Sequence, residues 1–405
     1  MKSLPLLAAV LLASAASAQD FTLKPLLDAR LRYENVDQTG IAQHADAVTL
    51  RLRPGLQVSD GSGLSALIEG ETTLVFDTHY NDGTNGRTPL PLVADPRNAE
   101  INRAQIRYAG KDFAITAGRQ LVELADQRFV GSANWRQNQQ TFDAVRVQYG
   151  RGASTGRGFS ADLTYSWSDR TVNGIHGTGA RQQAVGGSNV FALLNYGTSV
   201  GTLTGFAYLI DQNEKPVQNY ALSSQTYGVR FAGSRPIGKG AKIAYVASWA
   251  RQSDYHNNPN DYSADYWLGE ATLSANALTA TGGNEVLGAD KGVALTSVQT
   301  PLASYFKWNG WAAKFGTTPP NGLRDLYGTL GYGWKKIGPA DAIGLSATYH
   351  RFDSDRLSQH YGNEWDLLAT AKRGHSLFSV RYARYQADRL LTDTSKFWLQ
   401  VDWAL

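Results

Sequence analysis

Residues 48–58 alternate strictly. Val48, Leu50, Leu52, Pro54, Leu56 and Val58 share one face, and Thr49, Arg51, Arg53, Gly55 and Gln57 share the other. The preceding stretch does the same: Leu27, Ala29, Leu31 and Tyr33 oppose Asp28, Arg30, Arg32 and Glu34. Successive side chains of a strand point to opposite faces, so the pattern predicts two strands with one wet and one apolar side. The apolar side needs either a protein core or a bilayer, and what recurs downstream decides between them.

The rhythm continues to the last residue. Leu64, Ala66, Ile68, Leu74 and Phe76 oppose Glu69, Glu71 and Thr73. Ala104, Ile106 and Tyr108 oppose Arg103, Gln105 and Arg107, and Val145 and Val147 oppose Arg146 and Gln148. Tyr227, Val229 and Phe231 flank Arg230, Phe378, Val380 and Tyr382 flank Arg381, and Phe397, Leu399, Val401 and Trp403 oppose Lys396, Gln400 and Asp402. Residues 190–196 and 203–210 form a hairpin whose faces are too alike to phase. Counting every run predicts about 18 strands of roughly 10 residues, the length a tilted strand needs to cross a bilayer. Long polar connections at 77–99, 121–141, 168–188 and 288–321 alternate with tight turns such as 60–63 and 109–112. Short periplasmic turns and long extracellular loops are the habit of outer-membrane barrels. The fold class expected is therefore all-β: a transmembrane antiparallel β-barrel, closed because an open edge would leave backbone groups unpaired in hydrocarbon.

The first residues change the picture. Lys2, the apolar run 4–12 and the small residues Ala16, Ser17 and Ala18 predict a secretory signal peptide over 1–18, which assigns 19–405 to one barrel domain. Cysteine is absent, which excludes disulfides and thiolate chemistry. A net charge of +4 is too slight to imply a nucleic-acid partner. The expected partners are outer-membrane lipid and a solute. Tyr33, Tyr108, Tyr149, Trp167, Trp249, Tyr349, Trp365, Tyr382 and Trp403 near strand ends suit interfacial girdles.

The arginines orient the wall. An arginine facing lipid costs about 2–4 kcal/mol at the midplane, so four on the first two strands would cost on the order of 8–16 kcal/mol. Arg30, Arg32, Arg51, Arg53, Arg103, Arg107, Arg146, Arg230 and Arg381 are therefore expected in the lumen, with Glu69 and Glu71 beside them. A basic excess in a water-filled passage focuses anions. Arg119 falls out of phase, so either Gly118 carries a bulge or the strand has left the membrane there. Pro54 cannot donate to the ladder and predicts a local irregularity.

Two loop stretches carry a resemblance. One is Gly118-Arg119-Gln120, Arg128-Phe129-Val130-Gly131, Trp135 and Phe142-Asp143. The other is Gln299-Thr300-Pro301-Leu302, Asn309-Gly310-Trp311, Phe315 and Pro320-Asn321-Gly322-Leu323-Arg324-Asp325. With the barrel pattern, they make the chain resemble the alginate-export porins of the Gram-negative outer membrane. That resemblance implies an 18-stranded barrel with a basic lumen that carries polyuronate. It adds Arg119, Arg128 and Asp325 to the expected pore or its mouth, and it allows a periplasmic export partner. The function expected is passive conduction of anionic saccharide, without cofactor, metal or catalysis. A general porin for small anionic solutes or sugar acids is the alternative. A barrel hydrolase around His350, beside Ser346 and Thr348, is the remote one. The acidic stretch 257–265 reads as a solvated loop rather than a calcium site. The aromatic residues Trp308, Trp311 and Phe315 make inward folding of 288–321 attractive, because exposed aromatic residues seek a packed place.

Overall fold

The computed structural model describes residues 21–150 and 158–405. The signal peptide expected over 1–18 lies outside the described residues. Eighteen strands are present among them. The first six are β1 (Thr22–Gln38), β2 (Ala45–Ser59), β3 (Leu64–His79), β4 (Asn98–Ala109), β5 (Phe113–Gln120) and β6 (Thr141–Tyr149). Next come β7 (Gly158–Arg170), β8 (Ala184–Gly197), β9 (Thr202–Ile210), β10 (Ser224–Gly238), β11 (Ala241–Asp254) and β12 (Ser263–Ala275). The last six are β13 (Leu278–Leu287), β14 (Leu323–Ile337), β15 (Ala340–Asp353), β16 (His360–Arg373), β17 (Ser376–Ala387) and β18 (Thr394–Ala404). Each pairs antiparallel with its chain neighbours, and β1 also pairs with β18, so the sheet closes without an edge.

The two faces divide as the alternation requires. Leu31, Ile68, Ile106, Leu163, Val229, Leu330, Leu367 and Leu399 are exposed on the outside, while Arg32, Arg51, Arg53, Glu69 and Glu71 are buried inside. Exposed apolar rows right around a closed cylinder form a lipid-facing band. Tyr108, Tyr149, Trp167, Tyr349 and Trp365 stand exposed among them. No helix among the described residues is long and apolar enough to cross a membrane; the strands do so.

Local exceptions have local causes. The ladder between β2 and β3 pairs Leu52 with Thr72 and resumes at Gly55 with Glu69, skipping Arg53 and Pro54. That is the irregularity a proline without an amide hydrogen imposes. Between β3 and β4 the register shifts at Glu69 and Gly70, so Asn102 and Arg103 both reach Glu69.

The interior is filled by two connections, not one. The β5–β6 loop (121–140) and the β13–β14 loop (288–322) fold inward and meet, with Val130 bridging Leu302 in parallel. Val122, Leu124, Phe129 and Val130 of the first loop and Val298, Leu302, Trp308 and Phe315 of the second are buried in a single apolar cluster. Its outer members come from the inward faces of strands as far apart as β6 (Phe142) and β18 (Trp398). This explains the hairpin β8–β9. Phe191, Leu193, Phe206 and Tyr208 point inward because they pack on the first loop, where Phe129 lies 5.7 Å from Phe206 and 5.6 Å from Tyr208 between ring centres. Leu194, Tyr196 and Leu203 point to lipid. Both faces are apolar, so the pattern loses its phase.

Candidate conduction site in the lumen

The arginines of β1 and β2 come first. Arg30 and Arg51 are direct cross-strand partners, so like charges meet and need carboxylates beside them. Arg30 Nε donates to Asp402 at 2.6 Å, and Arg51 pairs with Asp28. Arg53 Nε donates to Glu71 at 2.6 Å, and Arg32 Nη1 reaches Asp95 of the β3–β4 loop at 3.2 Å. The remaining donors grip the inward loop. Arg30 Nη1 donates to the carbonyls of Asn134 (2.9 Å) and Trp135 (3.0 Å). Arg32 Nη2 donates to that of Trp135 (2.6 Å), and Arg53 Nη2 to that of Gln137 (3.3 Å). Buried loop carbonyls must find donors, and a guanidinium offers five in a fixed fork. Glu71 completes the clasp by accepting from the Gln139 amide at 3.0 Å. Arg51 keeps two buried nitrogens, Nε and Nη1, without a hydrogen-bond partner.

The second loop is held by the opposite wall. Glu285 and Asp325 are cross-strand partners on β13 and β14, and Glu364 and Asp366 follow on β16; all four are buried. Arg128, from the first loop, donates to Glu285 (2.6 Å), to Thr300 Oγ1 (2.9 Å) and to Asn309 Oδ1 (3.1 Å). It therefore staples one loop to the other and both to the wall. Asn309 Nδ2 donates to Glu285 at 2.7 Å. The amides of Trp311 and Ala312 donate to Asp366 (3.2 Å) and Glu364 (2.6 Å). His350 stands between Asp325 (2.9 Å from Nδ1) and Asp366 (3.6 Å from Nε2). Both ring nitrogens face carboxylates, with no serine hydroxyl bonded to either among the described residues. No group of three or more side chains suited to a metal ion occurs among those residues either.

The other expected lumen residues spread along the wall. Arg103 forks onto Glu69, Arg146 onto Asp162 (3.0 and 2.6 Å), and Arg230 reaches Asp126 of the first loop at 3.2 Å. Arg107 lies in the inward row near the short-turn end of β4. Arg119 is different. The register through β4, β5 and β6 is unbroken across Gly118, so no bulge re-aims it. It remains in the outward row of Phe113, Ile115 and Ala117, at the loop end of β5, with Nε and Nη2 on Asp143 (2.8 and 3.0 Å) and Nη1 on the Ile101 carbonyl (3.0 Å). Of the two explanations for its phase, the strand leaving the membrane fits. Its expected place in the lumen is thereby corrected.

A cavity of about 700 Å³ lies where the two loops meet the wall. Its charged lining is Arg30, Arg136, Arg181 and Arg381 against a single carboxylate, Asp169. Arg381 Nη1 bonds Ser379 Oγ at 2.8 Å, but its Nε has no hydrogen-bond partner, and neither does Nη1 of Arg136. Arg136 and Arg181 were not singled out from the sequence. Each sits on a loop, where alternation gives no facing, and only the neighbouring Trp135 motif marked the first. Beside the cavity, burial lowers the Lys314 ammonium to about 8, with Lys396 adding repulsion. Burial pushes the Tyr305 hydroxyl up to about 12.

Residues 23–166 match the family model described as Alginate export. The first of the two resembling stretches lies inside that span and the second beyond it. No curated protein matches the chain. The barrel is similar to the crystal structure of Pseudomonas aeruginosa OpdL, with 16% identity, a TM-score of 0.65, and 95% of this chain and 98% of that one covered. It is also similar to Acinetobacter baumannii OccAB3, with 13% identity, a TM-score of 0.70, and 95% and 99% covered. The outer membrane protein opdK of P. aeruginosa gives 13% identity, a TM-score of 0.66, and 95% and 98% covered. At such identities the likeness carries the fold. The chain has the closed barrel fold of outer-membrane porins.

Proposed function

We propose that this porin-like barrel conducts anionic saccharide passively, as the alginate-export resemblance implies, and that it performs no catalysis. One observation carries the reading: the cavity between the inward loops is lined by four guanidinium groups and one carboxylate. Guanidinium binds carboxylate through paired hydrogen bonds, and in a wet lumen each such contact is weak enough to release. Arg30 and Arg381 are the wall residues proposed to meet the solute. Arg32, Arg51, Arg53, Glu69, Glu71, Arg103, Arg128 and Asp325 are proposed to shape its path by fixing the loops and the wall. Arg107, Arg146 and Arg230 are proposed to contribute to the basic field. Planar-bilayer recording tests this. A reversal potential showing anion preference, with current blocked by oligouronate and not by a neutral glucan of equal length, is expected. Cation preference would sink the proposal. Anion preference with equal, weak effects of both oligomers would favour a general porin for small anions.

A further inference from the structure

We propose that lysines around the short-turn mouth of the barrel form a capture collar, which takes an anionic saccharide chain into the lumen faster from the periplasmic side than from outside. This rests on the anionic-saccharide reading above and adds the side on which the chain is loaded.

Lys24, Lys242, Lys335 and Lys372 lie within three residues of the turn ends of β1, β11, β14 and β16. Each continues an inward row. The ladders run unbroken from Lys24 to Arg30, from Lys242 to Ser248, from Lys335 to Asp325 and from Lys372 to Asp366, and the far member of each row is buried in the lumen. Lys335 and Lys372 are both cross-strand partners of Ala342, so they stand about 10 Å apart across β15. Lys111, Lys239 and Lys336 sit at the turns β4–β5, β10–β11 and β14–β15. All seven are exposed, and among the described residues none makes an ion pair, hydrogen bond or ring contact through its side chain.

The side-chain carboxylates at that end, among the described residues, are Asp60, Asp112, Asp341 and Asp402, and the last is paired with Arg30. The loop end contrasts with it. There the exposed Arg251, Lys291, Arg324 and Arg351 face Asp265 (3.6 Å), Asp261 (3.2 Å), Asp355 (4.0 Å) and Asp353 (2.9 Å). Lipid headgroups do not account for the collar. Arg235 and Arg373 belong to outward rows, where inner-leaflet headgroups would meet them, whereas the four strand lysines face the mouth.

Lysine suits capture rather than holding. Its ammonium is a hydrated point charge on a flexible stem, and a charged rim changes the association rate and its salt dependence. Steering by such a field speeds association about ten- to thousandfold, and it fades as the screening length falls from about 10 Å at 0.1 M salt to 3 Å at 1 M. Arg30 lies six residues beyond Lys24, and Arg381 four beyond the level of Lys372, about 20 and 14 Å along the strands. The collar therefore stands at the entrance to the wall residues proposed to meet the solute.

Single-channel recording of the full chain tests this, with hexagalacturonate added to one side at a time. The chain has no cysteine, so Ser199→Cys on the exposed β8–β9 turn and an impermeant thiol reagent identify the turn side. At 0.1 M salt, blocks should begin about tenfold more often from the turn side than from the loop side, and 1 M salt should erase the difference. Lys24→Gln, Lys242→Gln, Lys335→Gln and Lys372→Gln together should bring the turn-side rate down to the loop-side rate, with the duration of each block unchanged. Lys111→Gln, Lys239→Gln and Lys336→Gln together should give part of that loss, and a heat-modified gel shift confirms that each variant is folded. Equal rates from the two sides of wild type, or shorter blocks at an unchanged rate in the four-lysine variant, would overturn the collar while leaving the anion reading standing. So would an unchanged rate and duration in that variant, which would leave the lysines to inner-leaflet headgroups. No block from either side, or cation preference in wild type, would remove both together.

Discussion

Gly310 locks the β13–β14 loop into the lumen, and replacing it with alanine should unlock it. Asn309 and Gly310 both have left-handed backbones, with φ of 56° and 81°. That double turn aims the next two amides at Asp366 and Glu364. A β-carbon on residue 310 would lie 2.5 Å from the Glu364 carboxyl carbon and from Oε2, and 2.6 Å from Oε1. The carboxylate cannot back away without losing the Ala312 amide. The left-handed conformation costs a non-glycine residue roughly 1–2 kcal/mol, and the charged hydrogen bond is worth about 1.5–3 kcal/mol. Together they bias the loop toward release by about 2.5–5 kcal/mol, a factor on the order of a hundred to several thousand. The β13–β14 ladder ends before the loop begins, so the barrel itself should hold. Single-channel traces of Gly310→Ala should show sojourns at a higher conductance that wild type lacks, with normal migration on heat-modified gels. Gly316→Ala is the control, since a β-carbon there meets nothing within 4 Å. Matching traces for the two variants would refute the latch.

Arg128→Met removes three hydrogen bonds and strands Glu285, a loss of about 3–5 kcal/mol for a broken buried pair; limited proteolysis should then cut within 121–140 and 288–322, where wild type resists. Arg53→Glu sets two carboxylates together at Glu71 and should prevent recovery of folded barrel, whereas Arg381→Gln should fold and reduce anion preference in reversal-potential measurements. Lys314 sits at about 8 in the docked loop and near its ordinary 10.5 when released, so the released state holds more protons between those values. Docking should therefore strengthen as pH rises from 8 to 10.5 and stay level below 8; open sojourns of Gly310→Ala should thin out over that range, and adding Lys314→Met should flatten the trend. Anion preference should weaken between 0.1 and 1 M salt, as the screening length falls from about 10 to 3 Å.

How much of this was legible in the chain follows from what each contact is made of. The wall was legible because lipid and water sit on opposite sides of every strand, and the penalty for an outward arginine fixes which side is which. Arg30 through Arg53 could be aimed inward from alternation alone. What they hold could not. Their partners are the carbonyls of Asn134, Trp135 and Gln137, and a carbonyl belongs to every residue alike, so no letter of the sequence marks it. The same holds across the lumen, where Glu364 and Asp366 accept from main-chain amides.

Inward folding did leave a trace, in strands that refused to show two faces. Phe191, Leu193, Phe206 and Tyr208 put apolar rows on the inside of β8 and β9, and a water-filled lumen cannot be what those rows meet. Two long connections place apolar side chains in the same cluster as these rows: 121–140, with Val122, Leu124, Phe129 and Val130, and 288–322, with Val298, Leu302, Trp308 and Phe315. The first gives the rows their main partner, and its motif residue Arg128 ties it to the second. The loss of phase in one hairpin was thus the imprint of a loop some sixty residues earlier in the chain, and the arginines opposite are what keep that loop in place.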